Sequence, residues 1–139
     1  MLFGALSIII TFVAWRYRSV ISRITRGKVF GSPDGKSAVF ESDSKLWVTD
    51  SGGFREISGR MKSQGPLWSH DSQYIAFSAS REGNVDVYVA DMKTRKLARL
   101  TTTPGVERPI GWNEKDELMI SLGGAFLLVP RSEIEKKLL

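Results

Sequence analysis

The chain has 139 residues, 20 basic and 15 acidic, a formal net charge of +5, a single histidine and no cysteine. This length fits about one domain, and the absence of cysteine excludes disulfides and thiol catalysis. Arg16, Arg18, Arg23, Arg26 and Lys28 are the charged residues ahead of Asp34, and removing those five leaves 15 basic against 15 acidic residues in a neutral body. Such a body lacks the spread basic face that nucleic-acid binding needs, so nucleic acid is not an expected partner.

From Leu2 to Trp15 the sequence carries no charge, and apolar character resumes at Val20, Ile21 and Ile24. As a helix, Leu2 to Trp15 would cover about 21 Å at 1.5 Å per residue, short of the ~30 Å hydrocarbon core. Arg16 and Arg18 can snorkel, and Trp15 with Tyr17 suits the interface, which extends the usable length to about twenty residues. A single transmembrane helix is therefore expected in an anchor and basic juxtamembrane segment, residues 1–28. A cleaved secretory signal and a helix lying in the interface are the alternatives. A signal normally begins with a basic region and ends at a small-residue site, and neither stands here. Trp15, Arg16, Tyr17, Arg18, Arg23, Arg26 and Lys28 are the expected contacts with the membrane and its anionic lipid head groups. With all five positives on the C-terminal side, the charge rule puts the N-terminus outside an inner membrane and the domain in the cytoplasm.

Beyond the anchor the chain repeats itself. Ser32-Pro33-Asp34-Gly35-Lys36, Ala38-Val39-Phe40 and Leu46-Trp47-Val48-Thr49-Asp50 return as Ser69-His70-Asp71-Ser72-Gln73, Ile75-Ala76-Phe77 and Val87-Tyr88-Val89-Ala90-Asp91. Pro33-Asp34-Gly35 is a turn triad, because proline presets its backbone, aspartate bonds nearby amides and glycine accepts a positive φ. The apolar runs that follow alternate, with Leu46/Val48 and Val87/Val89 on one face and Trp47 and Tyr88 on the other. Phe54-Arg55-Glu56-Ile57-Ser58 and Leu97-Ala98-Arg99-Leu100-Thr101 complete two four-strand units. A third unit is partial: Gly111-Trp112 opens it, and Gly123-Gly124 has the form of a two-residue hairpin turn between two clear strands. Units 29–65, 66–108 and 109–129 thus make up the body, and residues 130–139 form a short tail.

Trp68 to Phe77, Val85 to Asp91 and Leu100-Thr101 resemble the repeat of TolB-type and tricorn-type β-propellers. The first unit matches at Ser32 to Lys36, with Gly31 where the tryptophan would be, and the third keeps Trp112 but replaces the turn with Asn113-Glu114-Lys115. The resemblance implies a mainly β fold, an incomplete propeller-like array of antiparallel sheets, since closed propellers use four to eight blades. It also implies a scaffold that binds protein partners. Its best-known members are periplasmic, which sets a periplasmic domain against the cytoplasmic placement drawn from charge.

No group of residues here suggests catalysis or a cofactor, so the chain is read as a non-enzyme without one. His70 cannot alone build a metal site, and its turn position makes it solvent-facing. Trp68 and Trp112, placed just before their turns, are expected in buried packing between sheets. Asp71, Asp86, Asp91, Asp116 and Glu117 read as turn and strand-end groups, because none forms the spacing that preorganises oxygen ligands for calcium. In the tail, Pro130 ends the last strand, Ser132 and Glu135 have capping-box spacing, and Ile134 with Leu138 gives a short C-terminal helix one apolar stripe. A helix this short needs a surface, either the last sheet or another chain.

Trp47, Tyr88, Ile134 and Leu138 are the candidate partner contacts, aromatic residues being prominent in interfaces. The expected function is that of a single-pass accessory or scaffolding subunit, stabilising a larger membrane complex such as a photosynthetic or respiratory assembly and binding its other protein subunits. The alternative is a membrane-anchored recognition module that binds a protein or peptide through Trp47, Tyr88 and the loop Ser80 to Asn84.

Overall fold

The structure is a computed structural model that describes residues 27–50 and 53–139. The expected transmembrane helix and Trp15, Arg16, Tyr17, Arg18, Arg23 and Arg26 lie outside the described residues. Among the described residues no helix is long and apolar enough to cross a membrane. Lys28 is exposed and is the first residue of strand β1 (Lys28–Gly31), opposite Glu41.

The described residues form a mainly β fold, with three antiparallel sheets and one short helix. The first sheet runs β1, β2 (Ala38–Ser42), β3 (Lys45–Asp50) and β4 (Gly53–Glu56), in that spatial order. The second repeats the arrangement with β5 (Lys62–Trp68), β6 (Tyr74–Arg81), β7 (Asn84–Asp91) and β8 (Leu97–Arg99). The third has β9 (Arg108–Trp112), β10 (Leu118–Ser121) and β11 (Phe126–Val129), followed by helix α1 (Arg131–Lys137). It thus contains three strands where two were clear in the sequence. Arg108 to Trp112 escapes a reading by pattern because proline and glycine interrupt its alternation and a bulge lies opposite Met119 and Ile120.

Each sheet turns its central hairpin with two residues of positive φ. These are Asp43 and Ser44 (52° and 59°), Glu82 and Gly83 (53° and 83°), and Gly123 and Gly124 (69° and 115°). Such turns match the right-handed twist of the strands they join. At Gly123 and Gly124 the expected hairpin forms, closed by the Leu122 amide donating to the Ala125 carbonyl at 2.9 Å. Glycine is needed most at Gly124, where a side chain would resist a φ of 115°.

The sheets stack through two apolar seams. Val39, Leu46 and Val48 of the first sheet meet Ile75, Phe77, Tyr88 and Ala90 of the second. On its other face the second sheet presents Ala76, Val87 and Val89 to Leu118, Ile120 and Val129 of the third. Both faces of the second sheet are therefore core, which explains the apolar residues at successive positions of β6 and β7. Trp68 and Trp112 stand half-buried at these seams. Each reaches back to the preceding sheet, Trp68 Nε1 donating to the Phe30 carbonyl and Trp112 Nε1 to the Leu67 carbonyl, both at 3.0 Å.

The turns ahead of β2 and β6 share one hydrogen-bonding scheme. Asp34 Oδ1 accepts from the Ser32 hydroxyl at 2.6 Å and the Lys36 amide at 3.0 Å, and Asp71 Oδ1 accepts from the Ser69 hydroxyl at 2.7 Å and the Gln73 amide at 3.1 Å. In the third sheet Asn113 Oδ1 does both jobs, accepting from the Lys115 and Glu117 amides at 3.0 and 2.9 Å. That turn is one residue shorter: Ser69 N bonds Tyr74 O, five residues on, whereas Asn113 N bonds Glu117 O, four on. Counted from Tyr74 and Glu117, where the two turns close, Leu118 and Ile120 take the places of Ile75 and Phe77 and, like them, face the preceding sheet. Leu118 and Ile120 face the core and Met119 faces away.

Candidate functional site: the outer face of the third sheet

Of the four candidate partner contacts, the structure places three inside the molecule. Tyr88 is 5% exposed and stacks on Phe77, with ring centroids 6.0 Å apart, in the seam between the first two sheets. Ile134 and Leu138 are 0% and 7% exposed and fill the seam between the second and third sheets. Helix α1 thus docks on its own chain, where burying that apolar stripe supplies the stability a seven-residue helix lacks alone. Trp47 is half-buried and lies flat on Phe54 at 5.3 Å, beside the buried Ala38 and Phe40. The four residues do not form one surface.

The capping box also differs from expectation. The helix begins at Arg131, with Pro130 at the N-cap in an extended conformation and no side-chain cap bond, so Ser132 lies within the first turn. Glu135 turns instead to Arg131 Nε, 3.4 Å away. Arg131 gathers the helix start onto the sheets: it pairs with Asp71 Oδ2 at 2.6 Å and Asp116 Oδ2 at 3.6 Å, and donates to Gln73 Oε1 at 3.0 Å. Its guanidinium also lies 4.6 Å from the centre of the Tyr74 ring. Partial burial works to raise the Asp71 carboxyl, but the Ser69 hydroxyl, the Gln73 amide and Arg131 together outweigh it and hold Asp71 below its ordinary value.

A lowered folded-state value means that the stabilisation is present above the unfolded-state value and lost as the pH falls through the folded one. Acidification below pH 3.8, the ordinary value for Asp71, is therefore expected to loosen this junction. In an acid titration of thermal stability, Arg131→Met should flatten the loss that sets in below pH 3.8, because the folded-state value of Asp71 moves back toward its ordinary one. An unchanged acid limb would remove Arg131 as the cause.

The acidic residues weighed as ligand or acid–base groups are occupied structurally. Asp91 Oδ1 accepts from the Lys93 amide at 2.9 Å, and Asp116 takes the His70 and Asp71 amides at 2.8 and 3.2 Å. Glu117 Oε1 accepts from the Asn113 side chain at 3.0 Å. Asp86 departs from the strand-end reading: it is buried within β7 and paired with Arg99. His70 is exposed, with its Nε2 3.1 Å from the Trp112 carbonyl. Among the described residues no group of three or more His, Cys, Asp or Glu is placed to hold a metal ion.

What the sequence reading missed is the outer face of the third sheet. Phe126 is 73% exposed, Leu128 and Ile110 46%, and Met119 41%. Met119 lies opposite Leu128 in the ladder and Phe126 opposite Ser121, so Met119, Phe126 and Leu128 share one face, opposite Leu118, Ile120 and Val129, while Ile110 sits unpaired at the bulge in β9. The signal was present in the uncharged run Ala125 to Val129, but alternation alone does not say which half is covered.

The three stacked antiparallel sheets define a TolB-like fold. Two solved structures carry that likeness. TolB from Acinetobacter baumannii matches with a TM-score of 0.53 and 21% identity over 74% of this chain and 29% of that one. The putative TolB from Agrobacterium tumefaciens matches with a TM-score of 0.56 and 23% identity over 68% of this chain and 37% of that one. The likeness thus spans roughly a third of the TolB chains. No family model matches the sequence, and the comparison with curated proteins found no match.

Proposed function

We propose that this chain is a non-catalytic, protein-binding module, held at a membrane by residues 1–28 and serving as an accessory subunit of a larger membrane complex. The observation that carries the binding half is the outer face formed by Met119, Phe126 and Leu128. Corresponding inward steps of the stack, from the first sheet to the second and from the second to the third, are each covered by a neighbouring sheet. Apolar sheet faces left bare favour association, because each buried side chain of this size contributes about 1.5–3 kcal/mol.

The tether rests on the sequence, on the uncharged run from Leu2 to Trp15 and the basic residues after it. The non-catalytic reading draws support from the carboxylates of Asp71, Asp91, Asp116 and Glu117, which are committed to turns. The anchored recognition module loses one of its proposed contacts with Tyr88 buried, whereas its loop retains exposed Arg81, Glu82 and Gly83.

The test is to solubilise native membranes in mild detergent and follow the protein by size. Co-migration with a much larger assembly in fixed ratio is expected; a free monomer would overturn the accessory role. Protease digestion of sealed vesicles reports the side, with the domain expected to be cut from the cytoplasmic face.

A further inference from the structure

The free edge of the third sheet adds a specific binding mode to that module. In a two-residue hairpin the flanking residues bond each other, as Leu122 and Ala125 do, and bonded pairs then alternate along the ladder. Ile120 with Leu127, and Leu118 with Val129, are accordingly the bonded pairs, while Met119 with Leu128 and Ser121 with Phe126 are not. The main-chain N–H and C=O groups of Phe126 and Leu128 therefore point away from β10, along the open edge of β11. No hydrogen bond to them appears among the described residues.

Two comparisons within the chain give this edge its meaning. In the first and second sheets the same place beside the third strand is filled, by β4 and by β8. Those outer strands are also guarded by charge, with Arg55 and Glu56 in β4 and Arg99 in β8. Strand β11, Phe-Leu-Leu-Val, has no charge, and a proline appears first at Pro130, where the chain turns into the helix. Exposed edges are usually blunted by charge, proline or a cover; β11 carries neither charge nor proline, and no strand among the described residues pairs with its outer side. An edge that offers main-chain groups and apolar side chains together is suited to receive an extended peptide as one more strand.

We propose that the edge of β11 binds an extended, alternating segment of a partner protein, which pairs antiparallel with Phe126 and Leu128 as β4 pairs with β3 and β8 with β7. The occupant is a short amphipathic strand of the kind those two places hold, with its apolar side chains against Phe126 and Leu128. This rests on the protein-binding reading above and specifies its mode.

The probe is a synthetic peptide of residues 94–101, which carries β8, titrated into the full chain in detergent and read by amide hydrogen exchange. Saturating peptide should slow exchange at Phe126 and Leu128 by about tenfold, with Leu127 and Val129 unchanged because their amides already bond β10. Leu128→Pro removes an outward donor without touching the β10 pairing, and should abolish the slowing at Phe126 while the Leu118 and Ile120 amides stay protected. Absence of slowing in the wild type, equal slowing in the proline variant, or slowing at Leu127 and Val129 instead would each overturn strand addition. Protection of Phe126 and Leu128 without peptide, in a chain that sediments as a dimer, would assign the edge to a second copy and overturn a foreign strand. If the edge fails these tests while the protein still co-migrates with a larger assembly, the accessory role stands and only this mode falls.

Discussion

Phe77→Ala is expected to cost about 3–5 kcal/mol, enough to leave the body largely unfolded near physiological temperature. Phe77 is fully buried on β6, among the largest side chains that are, and its ring stacks on Tyr88 in the seam that joins the first and second sheets. Alanine would leave a cavity in the middle of the stack, where strands on both sides limit collapse. Denaturant unfolding followed by tryptophan fluorescence is the measurement, since Trp68 packs against the same cluster. A loss under about 1 kcal/mol would mean that the two sheets are not tightly joined.

Ile134→Ala should cost about 2–5 kcal/mol and release helix α1 from the seam it closes. The side chain is fully buried among Tyr74, Ala98, Leu100, Leu118 and Leu138. This experiment also separates the two destinations open to the helix. An interface residue, removed from a free subunit, would leave its unfolding midpoint nearly unchanged. A residue that caps its own sheet stack lowers the midpoint in the isolated chain, and circular dichroism should show loss of the helix ahead of the sheets.

The repeat was legible because turn chemistry is local. Ser69, Asp71 and Gln73 bond one another within five residues, so the pattern appears in the sequence whatever packs around it. Two-sided burial of the second sheet could be read in the same way from the unbroken apolar run of β6. The places of Tyr88 and Trp47 could not, although they occupy matching positions in β7 and β3. Tyr88 faces another sheet, whereas Trp47 finds Phe54 within its own. Strand alternation says which residues share a face, and only the neighbouring sheet says whether that face is covered.

The helix start shows the same division at short range. Ser132 and Glu135 have the spacing of a capping box, but Arg131 has four polar partners, three of them in the turns ahead of β6 and β10. Those tertiary contacts draw Arg131 into the first turn, and local spacing gives way to them.

By itself, then, the order of residues determined three repeated hairpin units, their turns and the apolar stripe of the tail, because each depends on hydrogen bonds or periodicity within a few neighbours. Tertiary structure decided which aromatic residues are core, where the helix lies, and that Met119, Phe126 and Leu128 remain bare. Strand alternation is local, whereas burial is a property of two surfaces brought together.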